Sequence, residues 1–275
     1  GDIVGRTERF SVKYFMENLE TYLSSKPHFV IGNVENASHG FGLTEKNYHE
    51  LLDYGLDILT SGNHIWDKKD IFNYIDNADR LLRPLNYPNG TPGQGYTIIE
   101  KEDTSIAVVN FLGRVFMDAY NSPWEIAENI LLDLHSKTPI IVVDFHAEAT
   151  AEKVAFGKFL AELGVTAMLG THTHVQTADD SILNGITGYI TDIGFCGAAN
   201  GVIGMDYNSS IRRLKNLLPS RYEVAEIEET IVSAVYIVVD KKTGITENIT
   251  RIQEKLNLKH ILETSISTKE KDKVS

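Results

Sequence analysis

Carboxylate, carboxamide and imidazole side chains recur at five places where a strand-like run of this sequence ends or, at the first place, would have ended. They are Asp2, Glu35 with Asn36, Asn63 with His64, His146, and His172 with His174. Oxygen and imidazole ligands of this kind suit hard or borderline divalent cations such as Mn, Fe or Zn. No thiol accompanies them, which disfavours a structural zinc site. The set predicts a metal centre assembled from five separate segments.

Each segment, taken alone, also has an ordinary structural interpretation. The Gly-Asp and Gly-Asn pairs would be turns, the Glu-Asn pair would satisfy backbone groups of a loop, and His146 would be a hydrogen-bonded core histidine. The pair of His172 and His174 is harder to explain in this way, because side chains at i and i+2 of an extended chain face the same side. We therefore expect these two imidazoles to converge, and the five segments together favour the metal centre.

The elements that must position these residues follow from hydrophobic periodicity. Short apolar runs predict strands at 29–31, 57–60, 96–99, 105–112, 140–143, 165–169, 189–191 and 231–239. Helical spacing predicts helices at 7–22, 44–54, 67–75, 123–134 and 151–163. Strands that alternate with helices indicate a layered α/β fold with helices flanking the sheet. Ligand sites of such folds gather where the strands end, which is where the polar residues fall.

Length and composition limit the classes of protein that this chain can represent. Its 275 residues are 42% hydrophobic and carry a formal net charge of −12, which argues against extensive electrostatic binding of nucleic acid. The single cysteine, Cys196, excludes a disulfide framework and favours a reducing, cytoplasmic compartment. No run approaches the ~18–20 apolar residues of a membrane span. We expect one domain over residues 1–253, with its first strand missing before Asp2, and a C-terminal extension over 254–275 whose last residues are disordered.

Four blocks resemble the calcineurin-like metallophosphoesterases: GD at 1–2, GNH at 62–64, the lone His146, and GTHTH at 170–174. Longer blocks are similar to the bacterial branch of 2′,3′-cyclic-nucleotide 2′-phosphodiesterases. They are NVENASHGFGLT at 33–44, SGNHIWDKK at 61–69, VDFHAEATAEK at 143–153, GTHTHVQTAD at 170–179, YITDIGFCG at 189–197 and GVIGMD at 201–206. The resemblance implies a metallophosphoesterase-type fold, with β-sheets flanked by helices and a dinuclear metal site at the carboxyl-terminal ends of the strands.

Carried over to this sequence, the resemblance gives each candidate residue a role. One metal would be held by Asp2, Asn36 and His174, the other by Asn63, His146 and His172, and Glu35 would bridge the two. His64 would stand beside the metals, unligated, as the acid or transition-state contact.

The sequence departs from the wider superfamily at three positions. Val4 stands where a histidine ligand is usual, and Asn36 would replace that ligand. Glu35 takes the place of the usual bridging aspartate, and both of these departures match the bacterial branch. Ile65 follows GNH where an acidic residue is usual, which leaves Asp67 as the candidate to orient His64.

These residues and this resemblance predict a metal-dependent phosphoric ester hydrolase. A hydroxide bridging two cations would attack the phosphorus of a small phosphodiester, and the resemblance names 2′,3′-cyclic nucleotides as the substrate class. The ligand types and the resemblance favour Fe or Mn and also accommodate Zn or Mg. His39, flanked by Ser38 and Gly40, is a further candidate for a substrate contact.

Two other functions stay open at this point. A phosphomonoesterase or nucleotidase would use the same centre, and a regulatory interaction protein would keep the metal site but act by binding partners in RNA turnover or signalling. For partners, we expect a small phosphodiester or cyclic nucleotide as substrate, no stable binding of nucleic acid and no membrane. The resemblance alone implies a homo-oligomer.

Overall fold

Two β-sheets form the frame of the molecule in the computed structural model, which describes residues 1–118, 120–217, 225 and 229–257, with the backbone alone at 6–8. Their strands are, in chain order, β1 (Asp2–Ile3), β2 (Ile31–Asn33), β3 (Ile58–Thr60), β4 (Tyr96–Lys101), β5 (Thr104–Leu112), β6 (Ile140–His146), β7 (Ala167–Thr171), β8 (Ser181–Leu183), β9 (Thr187–Ile190), β10 (Phe195–Ala198), β11 (Glu229–Val239) and β12 (Thr246–Asn257). One sheet has the order β12-β11-β10-β1-β2-β3, and the other has the order β4-β5-β6-β7-β9-β8.

The strands that carry the candidate residues run parallel to one another within each sheet. β1 pairs in parallel with β10 and β2, and β2 pairs in parallel with β3. In the other sheet, β5, β6, β7 and β9 form a parallel set. Parallel strands end at the same edge of a sheet. The loops after β2 and β3 therefore lie at one edge of the first sheet, and the loops after β6 and β7 lie at one edge of the second.

Six α-helices accompany the sheets: α1 (Arg6–Glu17), α2 (Leu19–Tyr22), α3 (Glu45–Asp53), α4 (Pro123–His135), α5 (Thr150–Glu162) and α6 (Tyr207–Asn216), all within the described ranges. The start predicted for α3 is confirmed, since the Thr44 hydroxyl accepts the Asn47 N–H at 3.4 Å as an N-cap. The helix predicted over 67–75 is instead a pair of short 3-10 helices, Lys69–Asn73 and Ile75–Asn77. Among the described helices, none is both long enough and apolar enough to cross a membrane.

Alternate residues of β5 face two different apolar layers. Ile106 and Val108 pack with Ile58 of the other sheet, so the two sheets lie face to face. Val109 and Phe111 point the opposite way and pack in one cluster with residues of α4 and α5. Residues of α1 and α3 cover the outer face of the first sheet in the same manner. The fold is therefore four layers, with helices outside two sheets.

The predicted fold class is confirmed, since the chain is α/β with sheets flanked by helices. The interpretation of the first residues as a turn is wrong, because Asp2 lies in β1, in register with Phe195 on one side and Asn33 on the other. β12 continues through Asn257, and the rest of the predicted C-terminal extension lies outside the described residues.

Candidate metal centre

Contacts in the structure join six of the seven predicted metal ligands, and Asn63 stands between Gly62 and His64, which both approach Glu35. The seven residues are called here the ligand cluster. It consists of Asp2, Glu35, Asn36, Asn63, His146, His172 and His174. The first four come from β1 and from the loops after β2 and β3, and the histidines come from β6 and the loop after β7. The cluster therefore lies at the shared strand-end rim of the two sheets, where the sequence placed it.

A buried aspartate joins the two sheets directly beneath the ligand cluster. Asp144 accepts a hydrogen bond from the Asn33 amide at 3.1 Å and a second one from the Thr60 hydroxyl, both belonging to the other sheet. Its second oxygen accepts the Thr171 hydroxyl at 2.7 Å. These bonds fix the ends of β2, β3, β6 and β7 relative to one another.

Three side chains form the first half of the ligand cluster. The Nε2 atom of His146 lies 3.1 Å from Glu35 Oε1 and 2.9 Å from His172 Nδ1. Each of the three residues offers a ligand atom, and these atoms all lie within 4.8 Å of one another. Glu35 and His146 are fully buried, so these two side chains lie out of contact with bulk water. This arrangement is suited to holding one cation.

The second half of the ligand cluster surrounds His174. Its Nε2 atom lies 3.3 Å from Asp2 Oδ2 and 3.3 Å from the Asn36 amide nitrogen. The same amide nitrogen lies 3.2 Å from Glu35 Oε1, so Glu35 contacts both halves. A carboxylate in this position can be shared by two cations.

All three histidines use their outer ring nitrogen to bond an acceptor away from the centre. Nδ1 of His174 donates to the Ile203 carbonyl at 3.0 Å, and Nδ1 of His146 donates to the Thr171 hydroxyl at 2.9 Å, whose own hydrogen goes to Asp144. Nε2 of His172 lies 3.0 Å from Glu148 Oε2. Outer partners of this type select the tautomer whose inner nitrogen carries a lone pair for a metal.

Several buried oxygen atoms of the ligand cluster accept no hydrogen bond from the described residues. They are both carboxylate oxygens of Asp2 and the side-chain carbonyl oxygens of Asn36 and Asn63. Buried polar atoms without partners are costly and rare in folded proteins. Cations would satisfy these oxygens and the inward nitrogens together, so the residues present fit a metal centre.

Gly62 packs against the centre so closely that no side chain fits there. A Cβ atom at this position would overlap Glu35 Oε2 and the His146 ring at Nε2. The glycine of the Gly-Asn-His motif is therefore explained by the close approach of the backbone to the ligand cluster.

The ionisable groups of the ligand cluster shift one another strongly. Burial by itself would raise the pKa of Asp2, but His174 and His146 outweigh burial and hold this pKa well below its usual value. The pKa of Glu35 is lowered in the same way, against burial, by His146. Burial would lower the pKa of His146, yet the Glu35 carboxylate raises it to about 9. Burial and the neighbouring His146 lower the pKa of His172 to about 3.

His64 lies beside the ligand cluster with its ring directed to a different partner. Its Nδ1 atom is 2.8 Å from Asp67 Oδ2, and its backbone N–H donates to Glu35 Oε2 at 3.0 Å. The ring also contacts Phe41, with ring centroids 4.9 Å apart. The structure therefore places Asp67 where the sequence suggested it, against the imidazole of His64.

The expected geometry of the two neighbouring histidines is wrong. His172 and His174 have φ values of +102° and +63°, so the backbone is not extended there and the i, i+2 rule does not apply. Instead, His172 reaches His146 while His174 reaches Asp2, one in each half of the ligand cluster. His39 is exposed with a φ of +59°, and its role as a substrate contact stays a prediction.

Sequence reasoning missed the residues that support the histidines from outside. Asp144 precedes His146 by two residues on one strand, so the two side chains share a face of the sheet. A charged residue in an otherwise apolar run was the signal that could have identified Asp144. Glu148 follows the same histidine by two residues, but its contact with His172 depends on the path of another loop. The third partner, the backbone carbonyl of Ile203, could not be predicted from residue type, because every residue has a backbone carbonyl.

Comparisons with known proteins identify the family of the chain. A family profile described as YmdB-like protein matches residues 1–252. The chain is 46% identical over 252 residues to the 2′,3′-cyclic-nucleotide 2′-phosphodiesterase of Bacillus subtilis (strain 168), and the match covers 92% of this chain and 94% of the relative.

Two solved structures share the fold over nearly the whole chain. A crystal structure of a novel phosphatase from Mycoplasma pneumoniae superposes with a TM-score of 0.86 at 31% identity, covering 96% of this chain and 94% of the other. A crystal structure of a hypothetical protein from Thermus thermophilus gives a TM-score of 0.85 at 31% identity, covering 93% of this chain and 97% of the other. The match of the profile and the identity to the Bacillus enzyme show that the chain belongs to the YmdB-like protein family.

Proposed function

We propose that this chain is a phosphodiesterase that hydrolyses 2′,3′-cyclic nucleotides with two divalent cations held by the ligand cluster. The observation that carries the proposal is the convergence of inward histidine nitrogens on buried oxygens that lack hydrogen-bond donors among the described residues. The substrate class is supported by the name of the Bacillus relative, which is 46% identical.

The contacts within the ligand cluster suggest how the ligands divide between the cations. Asp2 and His174, with Asn36 beside them, would hold one cation. The other would be held by His146, His172 and Asn63. Glu35 would be shared, because its Oε1 atom contacts residues of both halves.

When bound, the cations would supply a water-derived nucleophile at neutral pH and neutralise charge on the phosphoryl group. Asp2 and Glu35 are the only carboxylates in the ligand cluster, so two divalent cations would leave a positive site. A local positive site attracts a phosphate despite the formal net charge of −12 for the whole chain. Asn63 and His172 are the partly exposed members of the cluster, so such a substrate would approach from their side.

His64 is positioned to assist the leaving group. With Nδ1 held by Asp67 at 2.8 Å, the opposite ring nitrogen, Nε2, stays available for the substrate. During hydrolysis a water oxygen joins phosphorus and the bond from phosphorus to O2′ breaks, leaving a nucleoside 3′-phosphate. Protonated His64 would deliver its Nε2 proton to O2′ as that bond breaks.

The metal ions proposed for this site are Fe or Mn, with Zn or Mg as weaker candidates, because the donors are oxygen and imidazole without a thiol. We further propose that the chain acts in the reducing cytoplasm as a homo-oligomer. Its single cysteine, Cys196, is buried in β10, which supports an environment without disulfides.

A substrate panel tests the proposed function. Purified protein loaded with Mn²⁺ would be given 2′,3′-cyclic AMP, bis(p-nitrophenyl) phosphate and p-nitrophenyl phosphate, with Glu35→Gln as the inactive control. We expect kcat/KM to be highest for the cyclic nucleotide. A preference for the monoester would support the phosphomonoesterase alternative. Absence of turnover on all three, with cellular function retained by Glu35→Gln, would support the interaction-protein alternative.

A further inference from the structure

A fully buried ion pair lies next to the ligand cluster without belonging to it. Lys153 of α5 and Asp192, which follows β9, are both inaccessible to solvent, and Nζ lies 2.7 Å from Oδ2. Burying two charges costs desolvation energy that their attraction often only balances, so such a pair is weak support for stability. The role of the pair is therefore inferred from its other hydrogen bonds and not from the ion pair itself.

Those hydrogen bonds go to the two peptide groups that flank His172. Lys153 Nζ donates to the Thr171 carbonyl at 2.7 Å, on the side before the histidine. Asp192 Oδ2 accepts the Thr173 N–H at 3.0 Å and the Thr173 hydroxyl at 2.8 Å, on the side after it. The ion pair thus holds the backbone on both sides of this predicted ligand.

The backbone held in this way has an unfavourable conformation. His172 and His174 have positive φ values of +102° and +63°, a region that non-glycine residues rarely adopt. Such conformations persist where the surrounding structure enforces them. The bonds from Lys153 and Asp192 hold the peptide groups on either side of His172, in addition to the bonds that Thr171 makes with Asp144, His146 and Ala147.

The same aspartate also reaches the strand that carries Asp2. Asp192 Oδ1 accepts the Gly194 N–H at 2.8 Å, and the Gly194 carbonyl accepts the Asp2 N–H at 3.1 Å. Asp192 therefore connects the histidine loop after β7 with the carboxylate on β1. Backbone hydrogen bonds thus link this one carboxylate to both halves of the ligand cluster.

We propose that Lys153 and Asp192 are positioning residues that hold His172 and His174 in the cation-binding conformation. The inference rests on the proposed metal centre, because it concerns the affinity of that centre. Removing the pair would let the loop from Thr171 to His174 relax, and the affinity of the ligand cluster for cations would fall. Supporting residues of metal ligands typically change affinity about 10- to 100-fold when they are replaced.

The test compares metal affinity with metal-free stability in a variant that leaves no unpaired buried charge. In Lys153→Met/Asp192→Asn, both charges are removed and the volumes are retained. Binding of Mn²⁺ alone would be measured by competition with a chromogenic chelator, and unfolding of the metal-free protein by its Tm. We expect the Kd for Mn²⁺ to rise about 10- to 100-fold and the weaker binding to be overcome by excess Mn²⁺. A Kd within about twofold of the wild-type value, well below that range, would overturn the proposal.

A second ion pair of the fold, whose Lys101 side chain is 44% exposed, provides a control for the removal of a lysine and aspartate pair. Lys101 pairs with Asp57, whose Oδ2 accepts the Val30 N–H at 2.9 Å, at the end of β3 opposite the ligand cluster. Lys101→Met/Asp57→Asn should lower the Tm without changing the Kd for Mn²⁺. If the control changes the Kd as much as the test variant does, the effect is general destabilisation and the proposal is wrong.

Thr173 gives a milder variant should the double replacement prevent folding. Thr173→Val removes only the hydroxyl that donates to Asp192, whereas Thr173→Ser retains it. We expect the valine variant to bind Mn²⁺ more weakly and the serine variant to bind it as the wild type does. Equal affinity in the two would contradict the positioning role. If the wild type itself binds no Mn²⁺, the proposed function fails and not this inference alone.

Discussion

Nδ1 of His64 lies 2.8 Å from Oδ2 of Asp67, while the backbone N–H of the same histidine donates to Glu35 Oε2 at 3.0 Å. The histidine is thus fixed at two points, by a carboxylate outside the ligand cluster and by the carboxylate that contacts both of its halves. This relationship separates His64 from the three histidines of the ligand cluster, whose outer nitrogens bond in the same manner but whose inner nitrogens face the other residues of the cluster. It also makes the role of His64 testable apart from metal binding.

His64→Ala should lower kcat about 100-fold or more while the metal content stays at the wild-type level, because proton donation is lost and the ligand cluster is retained. Asp67→Asn should lower kcat by a smaller factor, about tenfold, since the imidazole loses its charged partner. Steady-state kinetics and elemental analysis of the same samples check both outcomes.

The control for these variants is Asp53→Asn, a carboxylate at the end of α3, which should leave kcat and metal content unchanged. If His64→Ala loses bound metal, the residue is a ligand and its assignment as a proton donor is wrong.

The two carboxylates of the ligand cluster should differ in how many bound cations are lost when each is replaced. Asp2 contacts the half around His174, so Asp2→Asn should lose one cation and keep the other. Glu35 contacts both halves, so Glu35→Gln should lose both cations. Metal content after dialysis against a weak chelator distinguishes them. Retention of two cations by Asp2→Asn would remove this residue from the ligand set.

Gly62→Ala should impair metal binding although it removes no polar group. The added methyl group would occupy the space of Glu35 Oε2 and the His146 ring, so both ligands would have to shift. We expect an affinity for Mn²⁺ that is weaker by about tenfold or more, measured by chelator competition. The control is Gly90→Ala, where a Cβ meets no atom within 4 Å, although its φ of +86° will lower the Tm somewhat. Wild-type affinity in Gly62→Ala would show that the close approach has no consequence for the site.

Metal binding should release a proton at neutral pH. Against the effect of burial, Glu35 raises the pKa of His146 to about 9, so this histidine is charged in the metal-free protein near neutral pH. A histidine must be neutral to bind a cation, so His146 gives up its proton on binding. Burial would lower the pKa of His174, but the neighbouring Asp2 carboxylate raises it, so this histidine adds to the release. Burial and His146 lower the pKa of His172 to about 3, and this histidine releases no proton. Calorimetric heats of Mn²⁺ binding should therefore depend on the ionisation enthalpy of the buffer, and a buffer-independent heat would contradict this account.

The same shift predicts how the stability of the metal-free protein depends on pH. A histidine whose pKa is raised from 6.5 to about 9 by folding stabilises the fold fully below pH 6.5. That stabilisation is lost as the pH rises through about 9. The Tm of the metal-free protein should thus fall across this pH window more than the Tm of the metal-loaded protein, in which His146 is neutral throughout. Parallel falls in the two Tm values would contradict the raised histidine pKa values of the ligand cluster.

The sequence was sufficient to predict which strands end at the site, because a polar residue that follows a buried apolar run is visible in the pattern. The run that ends at His146 and the capped helix after Thr44 are examples, and the structure confirms both elements. β1 was not predictable in this way, since two residues are too few for a period to show. Its place in the sheet is set by pairing with β10 and β2, which are distant in sequence.

The contacts that support the histidines of the ligand cluster were harder to predict than the cluster residues themselves. The positive φ of His172 is imposed by Lys153 and Asp192, which lie on an adjoining helix and on a loop after another strand. The bond from His174 to the Ile203 carbonyl involves a backbone group, and residue type says nothing about it. The hydrophobic pattern of the sequence predicts the strands and where they end, whereas these supporting contacts depend on how whole helices and strands pack together.

The proposed hydrolysis of a cyclic phosphodiester requires two cations in the ligand cluster. Its most direct test is to strip the protein of metal, add Mn²⁺ in steps, and follow both the cations bound per chain and the conversion of 2′,3′-cyclic AMP to adenosine 3′-phosphate. We predict no turnover in the stripped protein and turnover that appears as the second equivalent binds. Full turnover without metal, or with one cation bound per chain, would contradict the account.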